Sequence, residues 1–146
     1  MKRKNLAAIL LILALVFAIA SCSLGDNGSS GGEGGDVLEE SLWDNATYKE
    51  STSLGEGAKT VTVSIEAEEK SVTLTVSTDK ATLGEALFEL EIIDDPSFFS
   101  TANGMLASWE EDHAYWAFYQ GEEYMMVGVG DTAISGGESY RLVYTK

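Results

Sequence analysis

Cysteine occurs once in this chain, at Cys22, so no disulfide can form within it and no cysteine-cluster metal site can be built. Histidine also occurs once, and His113 has no serine, cysteine or acid at a spacing that supports a nucleophilic triad or dyad. Its neighbours Glu110, Glu111 and Asp112 are consecutive. They read as a solvated acidic turn, because consecutive loop residues do not present convergent metal ligands. Gly128-Val-Gly130 lacks the further glycine and the helix of a phosphate-binding loop. These shortages point away from an enzyme, and no catalytic or metal-binding residue is assigned. Basic residues are scarce as well: nine Lys and Arg against 24 Asp and Glu. Three of the nine precede position 5, so beyond Cys22 six basic residues face 24 acidic ones, a balance of −18 with His113 neutral. Duplex nucleic acid, which needs a basic surface to displace counterions, is excluded as a partner. Anionic lipid repels such a chain too.

What the chain does have begins at its N-terminus. Lys2, Arg3 and Lys4 precede an apolar run from Leu6 to Ala20 that is too short to span a bilayer comfortably and reads as a secretory signal. The run ends in Ile19-Ala20-Ser21-Cys22, which resembles the lipobox of bacterial lipoprotein signal peptides. The resemblance implies cleavage before Cys22, a diacylglycerol thioether on its sulfur and further acylation such as palmitate. Two or more acyl chains hold a domain on a membrane where one chain does not. The expected location is the extracytoplasmic face of a bacterial cell membrane, with residues 1–21 as the signal.

Behind Cys22, Ser23 to Asp36 reads SLGDNGSSGGEGGD, six glycines in fourteen residues. This is a flexible coil whose ends lie roughly 20 Å apart. Residues 22–56 are assigned to the lipidated cysteine and this tether. Within them, Leu42, Trp43 and Tyr48 either dock on the domain or belong to the leader, and the sequence leaves both open. Residues 57–146 form the domain, roughly 90 residues with one modest core.

Lys59 to Glu68 alternates strictly, with Val61, Val63, Ile65 and Ala67 on one face; Ser71 to Ser77 alternates again through Val72, Leu74 and Val76. Period-two patterning on either side of Glu69-Lys70 predicts an antiparallel hairpin. Thr82-Leu-Gly-Glu85 fits a capping box. Leu83, Leu87, Leu90 and Ile93 then form one helical stripe, which Asp95-Pro96 ends. Strands are expected from Met105 to Trp109, Tyr115 to Tyr119, Tyr124 to Val129 and Tyr140 to Tyr144. The ββαβββ order predicts an α+β, β-grasp-like roll: a mixed sheet covered by one helix.

The second half also carries a resemblance. Thr82-Leu-Gly-Glu-Ala-Leu87, Tyr115-Trp116 with Phe118, Gly121, Gly128-Val129 with Asp131, and Gly137-Glu138 occur in an order similar to the C-terminal β-domain of the vitamin B12 carriers. The same order resembles the transcobalamin-C-like domains of bacterial lipoproteins. The resemblance runs from about Ala58 to Tyr144. It implies that the domain covers one face of cobalamin or a related corrinoid. By that match the ligand-binding residues are Gly104, Met105 and Leu106, with Trp116, Ala117, Phe118 and Tyr119, on to Met125. Ala117 stands where the carriers have glutamine, and Gln120-Gly121 where they have an Asn-Gly turn. The carriers' α-helical barrel is absent from this chain, which implies a partner, a transporter or other surface protein, to complete the site.

The residues themselves divide differently. In a half-buried strand, Trp116 and Phe118 face one way and Tyr115 and Tyr119 the other, so one row is core. The chain is thus read as a surface lipoprotein presenting a ligand-binding domain. The alternative is a protein-interaction or adhesion module without a cofactor.

Overall fold

Strict alternation places the centre of the fold. The structure, a computed structural model, describes residues 40–146; the expected signal, Cys22 and the glycine-rich stretch expected to act as a tether lie outside the described residues. In chain order the strands are β1 (Thr52–Gly55), β2 (Lys59–Ala67), β3 (Lys70–Thr78), β4 (Thr101–Ala102), β5 (Met105–Leu106), β6 (Tyr115–Gln120), β7 (Glu123–Tyr124) and β8 (Ser139–Thr145). Helix α1 (Leu83–Glu89) follows β3, and a single turn, α2 (Trp109–Asp112), precedes β6. Six strands form one mixed sheet in the order β1-β3-β2-β8-β6-β7, while β4 and β5 pair separately.

The expected hairpin is present: β2 and β3 run antiparallel, with Val63 opposite Leu74 and Ile65 opposite Val72. β8 lies parallel to β2 and sets Tyr140 and Leu142 beside Val63 and Ile65. All of these side chains are buried, and they share one core with Leu83, Ala86 and Leu87 of α1. The opposite face of the sheet carries Thr62, Ser64 and Thr73. It also carries an Arg141–Glu66 pair with two hydrogen bonds, from Nε at 2.7 Å and Nη2 at 3.0 Å. A polar face open to water and an apolar face under a helix explain the alternation.

Several expectations change, among them the strand expected from Tyr124 to Val129: only Glu123–Tyr124 pairs with β6, and Val129–Asp131 is a 3₁₀ turn. The order is not ββαβββ, because β1 precedes the hairpin and joins the sheet edge parallel to β3. Helix α1 stops at Glu89, short of Asp95-Pro96. Glu91 takes a left-handed φ of 55°, its N–H donates to the Phe88 carbonyl, and the Ile92 N–H reaches back to Leu87. This is a Schellman closure, and it turns Ile93 out of the helical stripe into a bridge with Ala102. The strand expected from Met105 ends at Leu106. Ser108 Oγ caps α2 by accepting from the Glu111 N–H at 3.2 Å. Glu110, Glu111 and Asp112 occupy its first turn, where the helix dipole favours acids.

The packed unit also begins before position 57. Trp43 is 7% exposed, and its Nε1–H donates to the Ala67 carbonyl at 2.7 Å. Asn103 exchanges two hydrogen bonds with the Tyr48 backbone, both 2.8 Å. Glu68 and Glu69 make the β2–β3 turn with positive φ at both residues. Here the Glu68 carboxylate accepts from Ser41 Oγ and the Leu42 N–H. Leu42 and Trp43 therefore dock on the domain; the apolar surface they cover outweighs the entropy of ordering a short segment. Among the described residues no helix is long and apolar enough to cross a membrane.

Candidate functional site

The aromatics of β6 divide between the two faces of the sheet. Phe118 lies opposite Leu142 and Trp116 opposite Tyr144, on the core face. Phe118 is buried and stacks on Tyr140, centroids 5.7 Å apart. Trp116 is half-buried, edge-on to Tyr144 at 5.6 Å, and its Nε1–H donates to the Ser100 carbonyl at 3.1 Å. Tyr115 and Tyr119 are on the polar face, where the Arg141 guanidinium sits 5.2 Å from the Tyr119 ring.

The residues matched to the corrin-facing surface are therefore spread through the fold. Met105 is fully buried and Ala117 nearly so, so neither side chain can meet a ligand in this arrangement. Gly104 sits in the β4–β5 turn at φ 79°, and a Cβ there would come within 2.3 Å of the Asn45 carbonyl. Leu106 next to it is exposed. Trp116, Phe118 and Met125 do come together, as parts of the wall of one open hollow of about 270 Å³.

The rest of that wall comes from residues outside the match. Phe98 is 92% exposed and Met126 89%, the highest values of any large apolar side chain among the described residues; Val127 stands exposed beside them, while Tyr124 borders the hollow with its ring edge-on to Tyr119, centroids 5.4 Å apart. No Asp, Glu, Lys, Arg or His lines the hollow. Two other depressions, near Glu68, are bordered by carboxylates instead.

Local chemistry explains why Phe98 stands out in water. After Pro96, the Asp95 carboxylate accepts from the Ser97 and Phe98 N–H groups at 2.7 and 2.8 Å. Such an Asx turn fixes the chain while the next side chains stay outside it. Asp94 pins the far end of the loop through Ser100 N, Ser100 Oγ and Thr101 N, each at 2.9 Å. Burial pushes the Asp94 carboxyl up, but these hydrogen bonds outweigh it and hold the group below its ordinary value. On the other wall, the Met125 N–H donates to the Phe118 carbonyl at 2.9 Å, so the chain leaves β7 still attached to β6.

Glycines bring the two walls together. A Cβ at Gly130 would lie 2.7 Å from the Pro96 carbonyl oxygen, and one at Gly84 2.1 Å from the same atom and 2.9 Å from Gly130 Cα. The backbones of α1, the Phe98 loop and the 3₁₀ turn Val129–Asp131 meet there without side chains between them. The sequence carried one signal of this wall that residue matching passes over. Ser97-Phe98-Phe99-Ser100 puts two adjacent aromatics in a polar loop begun by proline.

One polar atom is out of place. The Tyr140 hydroxyl is buried with no hydrogen-bond partner, and burial, with the Glu138 charge, pushes its pKa up.

No family model matches the chain, and no curated protein matches it. Among solved structures it is similar to a protein from Ruminococcus gnavus, provisionally described as metal binding. The identity is 22%, over 61% of this chain and 98% of that one, with a TM-score of 0.57. It is also similar to haptocorrin in complex with Cbi, at 16% identity and a TM-score of 0.47. That match covers 64% of this chain but only 26% of haptocorrin. At such identities the first likeness shows a shared fold: a mixed α+β domain, mostly strands with few helices.

Proposed function

We propose that this chain is a non-enzymatic, lipid-anchored surface protein whose domain binds a flat, partly apolar small molecule, with a corrinoid as the favoured ligand. The observation that carries the reading is the uncharged surface of Phe98, Met126 and Val127, left in water around Trp116 and Met125. Exposed aromatic and methionine clusters of this kind mark binding sites. The sequence resemblance to the B12-carrier β-domain supplies the ligand class, and it supports reading the fold as a β-grasp-like roll with β2 and β8 as central parallel neighbours. The site shifts from the matched residues toward the Phe98 loop, because Met105 and Ala117 are interior.

The hollow is smaller than the roughly 300–1,000 Å³ of enclosing small-molecule pockets. A corrin lies across such a surface with one face in water. Affinity is then micromolar or weaker, since the cost of association is met by contacts on one side only. A partner transporter or surface protein would strengthen it by covering the other face. Calorimetric titration with cobalamin and cobinamide tests the reading, using Phe98→Ser and Met126→Ser as site variants. Loss of heat in both variants is expected. Absence of heat at millimolar ligand, or unchanged affinity in the variants, would sink it.

A further inference from the structure

The apolar hollow has a charge pattern around it that a near-neutral ring does not use. Two of the three segments that wall it are flanked along the chain by exposed carboxylates, Asp95 before Ser97 and Glu123 and Asp131 on either side of residues 124–129, while β6 carries none. Asp95 is bonded to the amides of Ser97 and Phe98, Glu123 immediately precedes Tyr124, and the Asp131 N–H donates to the Gly128 carbonyl. No cation lines the hollow. The basic groups lie elsewhere: Arg141 pairs with Glu66, Lys80 with Glu89 and Lys146 with Asp112, Lys59 donates to the Lys80 carbonyl and Lys49 to the Asp44 carbonyl, and Lys70 stands beside Glu69 at the start of β3. An uncharged aromatic and methionine floor, flanked along the chain by carboxylates and with no cation in its lining, is complementary to one kind of macromolecular surface. We infer that this face docks a basic amphipathic segment of a partner protein, apolar anchors in the hollow and Lys or Arg against Asp95, Glu123 and Asp131.

The other occupants fit worse. A second copy of this chain would bring the same carboxylates face to face. An anionic membrane would meet them with charge of like sign. The hollow's volume suits one large anchoring side chain, which is how an amphipathic helix seats in an apolar groove. Methionine assists because its unbranched, polarisable side chain adapts to different anchors. The carboxylates raise the rate of encounter and set the polarity of the partner, while the apolar contacts hold the complex.

The inference stands apart from the corrinoid reading: a failed cobinamide titration leaves it intact, and peptide binding alone decides it. The mature chain from Cys22, immobilised through its N-terminus, is exposed to a synthetic amphipathic Leu–Lys helix. The controls are a Leu–Glu helix with the same apolar face and a scrambled Leu–Lys peptide without one. The Leu–Lys helix should bind, and the others should bind about tenfold more weakly or not at all. Phe98→Ser with Met126→Ser should weaken it about tenfold or more, as loss of central anchors does. Both sites are exposed, so circular dichroism of this variant should match wild type. Glu123→Gln with Asp131→Asn should weaken binding several-fold and flatten its dependence on salt. Equal binding by the Phe98/Met126 variant, or by the scrambled peptide, would reduce the interaction to net charge and overturn the inference. So would no binding at all, or capture of phosphatidylcholine vesicles in place of the peptide.

Discussion

Phe98 and Phe118 are the same residue type with opposite roles, and substitution should separate them. Phe118 is 6% exposed and stacked on Tyr140, so Phe118→Ala should cost about 3–5 kcal/mol in chemical denaturation through the cavity it leaves. Phe98→Ser should change stability by no more than about 0.5 kcal/mol, because its ring already stands in water. A binding loss in Phe98→Ser would then belong to the surface and not to the fold. Asp94 gives a second test at this scale. Its folded carboxyl titrates below its ordinary value, so its contribution to stability is whole above that value and is lost as the pH falls through the folded pKa. The loop from Asp94 to Thr101 should therefore loosen only in acid, below about pH 4, together with the NMR titration of the Asp94 carboxyl; loosening near neutral pH would contradict it. Alternation showed that Trp116 and Phe118 share a row. It did not show which row is inward, because that depends on β8, which lies more than twenty residues further along the chain.

Elements long enough to show a period were legible, and shorter ones were not. β2 and β3 followed from nine-residue alternations, and the start of α1 from Thr82, whose Oγ1 accepts from the Glu85 N–H at 3.3 Å. β4, β5 and β7 have two residues each, too few for any pattern to register. The end of α1 was missed because a Schellman closure ordinarily announces itself with glycine, and Glu91 holds that position here. The β6–β7 turn is displaced by one residue from the expected Gln120-Gly121. Gln120 pairs with Glu123, so Gly121 and Glu122 form the loop, with Gly121 first at φ 59°. With φ positive at Gly121 and not at Glu122, this is the pattern of a type II′ turn, whose first position takes glycine. A side chain at Gly121 would meet nothing within 4 Å, so Gly121→Ala isolates the backbone cost. Destabilisation of about 1 kcal/mol is expected in urea unfolding, and a neutral result would show that the loop relaxes freely.

At the scale of the whole molecule, the proposed N-terminal anchor and the acidic composition make separate demands. Cys22→Ala should abolish lipidation and move the protein from the detergent phase to the aqueous phase on temperature-induced partitioning. Retention in the detergent phase after signal removal would contradict the anchor. The acidic balance was readable from composition, whereas the hollow was not, since it joins residues 97–99 to residues 116–129 through a contact of three backbones. That contact ties occupancy of the surface to the root of α1. The Leu83 N–H donates to the Thr132 carbonyl at 2.9 Å, and Thr82 bridges to Ala133, just beyond the Gly130 seam. Spreading the lips of the hollow and releasing the first turn of the helix thus become one opening event. Anything lodged between Phe98 and Met126 should slow deuterium uptake at the Leu83 amide, a place it never touches, and uptake there unchanged by a saturating ligand would show the two sides to breathe independently.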